Sequence, residues 1–481
     1  MLAMKKPLSA VLLLASTCAG GATGPFPGPQ ANEAARQLAL DIFKQLIEIN
    51  TTDSVGSTTV AAEGMARRLR MAGLPADDVV VLGPNERKGN MVARFRGSGA
   101  HKPILLIGHL DVVEAHRQDW TTDPFQLVEK DGYFYGRGTQ DMKDGDAILV
   151  ADFIRLKQEG YKPDRDLILA LTADEEGGKS NGVDWLLKNH RDLIDAEFVL
   201  NADGGGVDTE NGKPVIISMD ATEKLYADFQ LTVTSPGGHS SLPVPDNVIY
   251  HLVDGLARLE RYQFPFELNP VTRTYFERMA SVETGRKAAD MRAILKTPPD
   301  PGAIARLSED PLQNATMRTT CVATRLDAGH ANNALPQRAL ANVNCRILPG
   351  HSREEVRQTV IRILTDPKIE VSYASSGGAL DSDPDSRGLP PVELRPDVMK
   401  PLERLCAQMW PGAPLVPTMA TGASDSVYTN AASIPSYGVS GVAIDMDDVR
   451  AHGRDERLRI QSFYQGVDFY YNYLKALTAV Q

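Results

Sequence analysis

The chain has 481 residues, more than one hydrophobic core ordinarily supports, and reads as two domains. Its 42% hydrophobic and 23% charged residues are the balance of a globular protein and exclude a disordered one. A formal net charge of −11 argues against nucleic acid or an anionic membrane as the main partner.

Lys5 and Lys6 precede an apolar run at 8–15, and small residues follow to Ala22. This predicts a secretory signal peptide over 1–22, too short to span as a mature helix. The expected product is secreted or periplasmic, with no integral membrane segment left after cleavage. Cys18 offers the alternative of a lipid anchor, although Thr17 suits the position before a lipidated cysteine poorly. The other three of the four cysteines, Cys321, Cys345 and Cys406, have no metal-binding spacing. Cys321 and Cys345 lie on apolar stretches that could neighbour each other in a sheet and form one bridge.

Leu38, Ile42, Leu46 and Ile49 recur at helical spacing and predict a helix over 31–49, with a second over 54–73. Residues 91–95 read as a strand. Ile104-Leu-Leu-Ile107 reads as a central strand buried on both faces. His109 and Asp111 follow at once, where ligands sit beyond the strand ends of an α/β sheet. In extended chain the two point to the same side, so the Asp111 carboxylate could take one ring N–H of His109 and leave the other nitrogen for a metal.

A long excursion closes at Gly138, and Asp141 and Asp144 precede a helical run over 147–158. Asp141 alone would suit a helix N-cap. The buried strand 167–172 ends in Asp174-Glu175-Glu176-Gly177-Gly178, and 198–201 ends in Ala202-Asp203-Gly204. Paired glutamates at a strand end are costly unless solvated or bound to a cation. Three buried strands thus end in a carboxylate or histidine beside glycine.

From Leu225 the pattern alternates to Thr234, as in a half-exposed antiparallel strand. Ser235–Ser241, with His239, and an amphipathic helix over 247–262 follow. Residues 263–315 read as a helical addition whose Phe264, Phe266, Tyr275, Phe276 and Met279 could line an apolar pocket or pack a dimer. Strands at 316–326 and 339–348 bracket Asn333. The expected organisation is a signal peptide at 1–22, a catalytic domain at 31–224 and 351–481, and an inserted α+β unit at 225–350. The loop at 421–426, with Gly422 and Ser424, reads as part of a site, and His452 precedes the last helix. No phosphate-cradling glycine loop and no G-x-S-x-G nucleophile elbow is present.

GHLDVV (108–113), YGRGTQDMKDG (135–145), ADEEGG (173–178), NADGG (201–205), SPGGHSS (235–241), NALPQ (333–337), NCRILPG (344–350) and AHGRDE (451–456) occur in one order. In these the chain resembles the M20 family of co-catalytic zinc metallopeptidases and amidohydrolases, including its aminoacylase-1, carboxypeptidase G2 and carboxypeptidase S-like branches. The resemblance implies an α/β, zinc-exopeptidase-like catalytic domain with a mixed sheet flanked by helices, plus an inserted α+β lid or dimerisation domain. It implies two zinc ions per chain, with cobalt or manganese as possible substitutes. Asp141 would bridge them, His109 and Asp203 completing one site and Glu176 and His452 the other.

By the same resemblance Asp111 orients His109, Glu175 is the general base on a metal-bridging water, and His239 is an oxyanion donor from a partner subunit. Asn333 and Arg346 would hold a substrate carboxylate, with Gly422 and Ser424 as further substrate contacts. The peptide bond between Asp141 and Met142 would be cis. Asp144 departs from the pattern, standing where many members have glycine. The implied reaction is cleavage of a C-terminal peptide bond or an N-acyl amino acid, in a homodimer. The alternative is a non-catalytic secreted binding protein on the same scaffold.

Overall fold

The computed structural model describes residues 30–375, 380–381, 388–390 and 392–479. The expected signal peptide, Cys18 and much of the 375–391 loop lie outside them. Among the described residues a ten-stranded mixed sheet has at its centre four parallel strands, in the order Leu167–Thr172, Ile104–His109, Phe198–Asn201 and Ser436–Gly438. Asn90–Phe95 flanks them antiparallel on one side and Lys213–Glu223 on the other.

The continuous apolar runs serve two cores at once, because successive residues of a strand face opposite ways. Leu106, Leu169 and Leu200 pack with the helices Glu33–Ile47, Lys143–Gln158 and Ile460–Leu477. Leu105, Ile107, Ile168 and Val199 pack on the other face with Leu186 and Ile194. The three strands therefore end together at one edge, bringing their terminal polar residues side by side.

The second sheet runs in the order Thr320–Ala328, Arg338–Ile347, Leu225–Thr234, Glu370–Ala374, Leu380–Asp381. Leu225, Ala227, Phe229, Leu231 and Val233 face a core shared with Leu252 and Leu259 of helix Val248–Arg261 and with Val356, Val360 and Leu364 of helix Arg353–Leu364. This corrects the expected boundary at 350: the inserted unit continues through Ala374 and reaches Leu389, which packs in the same core. The amphipathic pattern of 353–364 shows that it has an apolar side, not which sheet receives it.

The expected strand at 316–326 starts later, since Thr316 and Met317 finish helix Pro311–Met317. Most of the expected apolar residues of the helical addition are packed within the chain. Phe276, Met279 and Met291 pack with Val416 and Ile216 of the large sheet, and Phe264 packs against the small-domain core. Cys321 and Cys345, directly opposed on neighbouring strands, form a disulfide, and Cys406 is a buried free thiol. Among the described residues no helix is long and apolar enough to cross a membrane.

Candidate metal centre

At the shared strand edge, Asp141 turns its two carboxylate oxygens in different directions. Oδ1 lies 3.1 Å from His109 Nε2, and Oδ2 lies 3.0 Å from His452 Nε2. Asp203 stands 3.9 Å from His109 Nε2, and Glu176 stands 2.9 Å from His452 Nε2. His109, Asp141 and Asp203 form one group able to hold a metal ion, and Asp141, Glu176 and His452 form another. Nitrogen and carboxylate donors of this kind suit zinc, with one aspartate common to both groups. Glu175 Oε2 is 4.0 Å from His109 Nε2. The Asp141–Met142 peptide is cis.

The electrostatics fit cations. Burial, with Asp425, Glu176 and Asp141 nearby, pushes the Glu175 carboxyl up to about 8. Burial and Asp141 push Glu176 up to about 7, and burial raises Asp203 well above the carboxylate range. Asp141 is held low despite its burial, by hydrogen bonds with His109 and His452. His452 rises to about 9, chiefly through its bond with Asp141. So many acids in one pocket are costly to ionise together unless positive charge joins them.

Asp111 acts differently from expectation. His109 Nδ1 donates to the backbone carbonyl of Asp111 at 3.0 Å, whereas the carboxylate oxygen is 3.7 Å away. The carboxylate instead accepts the backbone N–H of Glu175 at 3.2 Å and of Glu176 at 3.0 Å. One residue thus fixes the His109 ring, leaving Nε2 for the metal group, and shapes the loop carrying both glutamates. Asp144 is buried, and that burial raises its carboxyl well above the usual range.

Residues the sequence reading passed over complete the frame. Glu456, fully buried, accepts from Arg137 at 2.5 Å and from the backbone N–H groups of Gly138, Gln140 and Asp141. Arg137 also donates to the carbonyl of His452 at 3.3 Å. Asp425 accepts from Thr172 at 3.0 Å and Asn181 at 2.5 Å. The available signal was a pair of opposite charges inside glycine-flanked loops. His452 itself sits at φ 62°, a backbone region non-glycine residues seldom occupy except where their surroundings over-determine it.

These groups open onto a cavity of about 300 Å³ lined by Asp141, Glu175, Glu176, Asp203 and His452 on one side, with Gly422 and Ser424 elsewhere on its wall. Glu223, also on the wall, accepts from the Ser424 backbone N–H at 2.8 Å and hydroxyl at 3.2 Å. Five expected site residues are not on that wall: His109 and Asp111, which lie buried in the metal centre described above, and His239, Asn333 and Arg346. His239 is exposed on a short ribbon pairing Gly238–His239 with Ala334–Leu335, beside Asn333, whose carbonyl accepts from Ser240. Arg346 lies on the small-domain sheet, its guanidinium 4.7 Å from the centre of the Tyr226 ring.

An α/β sheet with two candidate metal-ligand groups sharing an aspartate at its strand ends is the arrangement of a metallohydrolase. Residues 105–476 match the model of peptidase family M20/M25/M40, and the chain belongs to that family. It is 29% identical over 396 residues to probable carboxypeptidase S-like 2 of Dictyostelium discoideum, covering 78% of this chain and 71% of that one. It is 30% identical over 374 residues to the N-fatty-acyl-amino acid synthase/hydrolase PM20D1 of Xenopus tropicalis, covering 76% and 71%. Among solved structures, the M20 metallo-carboxypeptidase Sso-CP2 of Sulfolobus solfataricus shares the fold, with a TM-score of 0.65 at 16% identity, over 91% of this chain and 99% of that one. The protein is an enzyme of the metallopeptidase and amidohydrolase class.

Proposed function

We propose that this enzyme is a two-zinc hydrolase that cleaves the amide of a substrate bearing a free carboxylate, either an N-acyl amino acid or a C-terminal peptide bond. The supporting observation is Asp141, whose two oxygens address two separate histidine-and-carboxylate groups. His109, Asp141 and Asp203 would hold one ion, and Asp141, Glu176 and His452 the other. Bound zinc polarises a carbonyl and makes water a nucleophile near neutral pH.

The chain's own groups supply the rest. Glu175, beside but outside both ligand groups, takes the proton of the attacking water and returns it to the leaving nitrogen. The Asp111 carboxylate holds the Glu175 backbone in place. Gly422 and Ser424 contact the substrate from the cavity wall. Arg346 and Asn333 receive its carboxylate, a guanidinium fork matching that group in bidentate geometry.

His239 is the oxyanion donor. Its Nδ1 accepts from the Ser241 backbone N–H at 3.1 Å and lies 2.7 Å from the Ser241 hydroxyl, which leaves Nε2 as the donor. Since His239 is away from its own cavity wall, the reading places it in the site of a second copy. The strand Leu225–Thr234 is flanked on both sides within its own sheet and has no edge to offer a second copy. Among the described residues Thr320–Ala328 is an unpaired edge, with Val322 61% and Leu326 60% exposed, and the helix Val248–Arg261 that contacts it exposes Tyr250 and Val253. An unpaired edge with an apolar neighbour is suited to joining its own copy. Export through the 1–22 leader completes the reading.

The test is hydrolysis across acyl chain length and amino-acid side chain, before and after chelation. Activity lost to a chelator and restored by zinc supports the reading. Activity indifferent to chelation, or none on any such amide, overturns it in favour of a binding protein or a metal-free hydrolase.

A further inference from the structure

Six carboxylate side chains line the cavity, and His452 is its only basic one among the described residues. A substrate carboxylate must therefore find its cation beyond the wall. The nearest sheet end is well placed. Glu223 ends strand Lys213–Glu223, Lys224 follows, and Leu225 starts the next strand. Tyr226 is thus three residues beyond the wall, about 10 Å at strand rise. Its cross-strand partner is Arg346. Val427, just after the cavity loop, packs against the small-domain core, so loop and sheet end adjoin.

Tyr226 and Arg346 lie on the face of this sheet opposite its helices, where Asp228, Asn342 and Asn344 are their neighbours. The Tyr226 ring lies under the guanidinium at 4.7 Å, a cation–π contact that favours this placement of the fork. The nearby carboxylate, Asp228, attracts Arg346 without forming an ion pair with it. Its oxygens are already engaged. Asn342 and Asn344 donate to Oδ1 at 3.0 and 2.8 Å, and the Tyr226 hydroxyl donates to Oδ2. Burial opposes ionisation of Asp228, but these three donors outweigh it and hold the carboxyl below its ordinary range. Burial and Asp228 push the Tyr226 hydroxyl up to about 12, so it stays a donor at neutral pH.

We propose that Tyr226 is a positioning residue for substrate carboxylate recognition: its ring orients Arg346, and its hydroxyl occupies the one carboxylate that would otherwise capture that arginine. This inference rests on the reading of Arg346 as the carboxylate receptor. A tyrosine that merely packed on the sheet would need no such division of labour between ring and hydroxyl.

The experiment compares one substrate as free acid and as carboxamide, with kcat and KM measured separately. Wild type should favour the acid at least tenfold in kcat/KM. Tyr226→Phe keeps the ring but releases Asp228, and the acid-to-amide preference should fall several-fold through KM. Adding Asp228→Asn to Tyr226→Phe should restore most of it, because the competing charge is gone. Tyr226→Leu removes ring and hydroxyl together and should not be rescued by Asp228→Asn. A preference unchanged in Tyr226→Phe, an equal loss on acid and amide, or a loss that Asp228→Asn fails to restore overturns the proposal. Wild type with no acid preference instead overturns the reading of Arg346, while the hydrolase reading stands or falls on turnover itself.

Discussion

Arg137 and Glu456, 319 residues apart in sequence, meet at 2.5 Å with side chains 3% and 0% exposed. The pair ties the loop of Asp141 to the loop of His452, because Glu456 also accepts from the Asp141 N–H and Arg137 donates to the His452 carbonyl. Glu456→Gln keeps the shape but leaves a buried guanidinium unbalanced. Breaking a buried pair in this way costs about 3–5 kcal/mol. Thermal unfolding should show that loss, and zinc per chain should fall with it. Replacing both residues by methionine should recover stability without recovering zinc, since the backbone N–H groups of Gln140 and Asp141 still lack their acceptor. Full zinc occupancy in the double variant would show that the pair only supports the fold.

Glu175 and Asp141 separate turnover from metal binding. On the proposed reading Glu175→Gln removes the proton carrier and leaves the residues of both candidate metal groups in place, so zinc content should hold while kcat falls by about 10²–10⁴. Near-native kcat in that variant rules out Glu175 as the base. Asp141→Ala removes the carboxylate common to both groups, so zinc per chain itself should drop. Two full equivalents in Asp141→Ala would mean that the ions do not share it.

The residues of both candidate metal groups stood out in the sequence because each ends an apolar run or sits in a glycine-flanked loop, where a charged side chain is expensive without a counter-charge. The two parallel neighbours of Ile104–His109 were legible for the same reason, as runs buried on both faces. What pairs across the chain was not. No spacing relates Arg137 to Glu456. No pattern distinguishes the carbonyl of Asp111 from its carboxylate as the partner of His109. Alternation over Leu225–Thr234 reports one buried face, but not that both strand edges are occupied.

The metal-free protein should lose stability as pH rises from the mildly acidic range. Glu175 and Glu223 are pushed up to about 8, Glu176 to about 7 and Asp425 to about 6, burial being the largest cause in each. Each folded value exceeds its unfolded one, so the folded state binds more protons than the unfolded chain. The associated stability is fully present below the unfolded carboxyl range near 4 and is lost as pH climbs through these folded values. Lys143 and Lys224, lowered to about 7 by burial, work in the opposite sense only above that pH. Zinc offsets the gathered negative charge, so the rise in Tm on adding zinc should grow between about pH 5 and pH 7. A zinc increment independent of pH would mean that these carboxyls titrate as free groups.

Subunit mixing decides whose site His239 serves. His239 is exposed on its ribbon with Nδ1 engaged by Ser241, and its own cavity wall does not include it. A donor aimed at developing charge is commonly worth about 3–4 kcal/mol, so His239→Ala alone should lower kcat by 10²–10³. Glu175→Gln chains are inactive for a different reason. In a shared-site dimer, a heterodimer of the two pairs the Glu175 of one chain with the His239 of the other and has one intact site. Random exchange makes half the dimers mixed, so roughly a quarter of the sites regain function. If each chain uses its own histidine, every site in the mixture lacks one of the two groups. Differently tagged chains that demonstrably exchange and yet recover no activity would place the donor within its own chain and remove the reason for pairing along Thr320–Ala328.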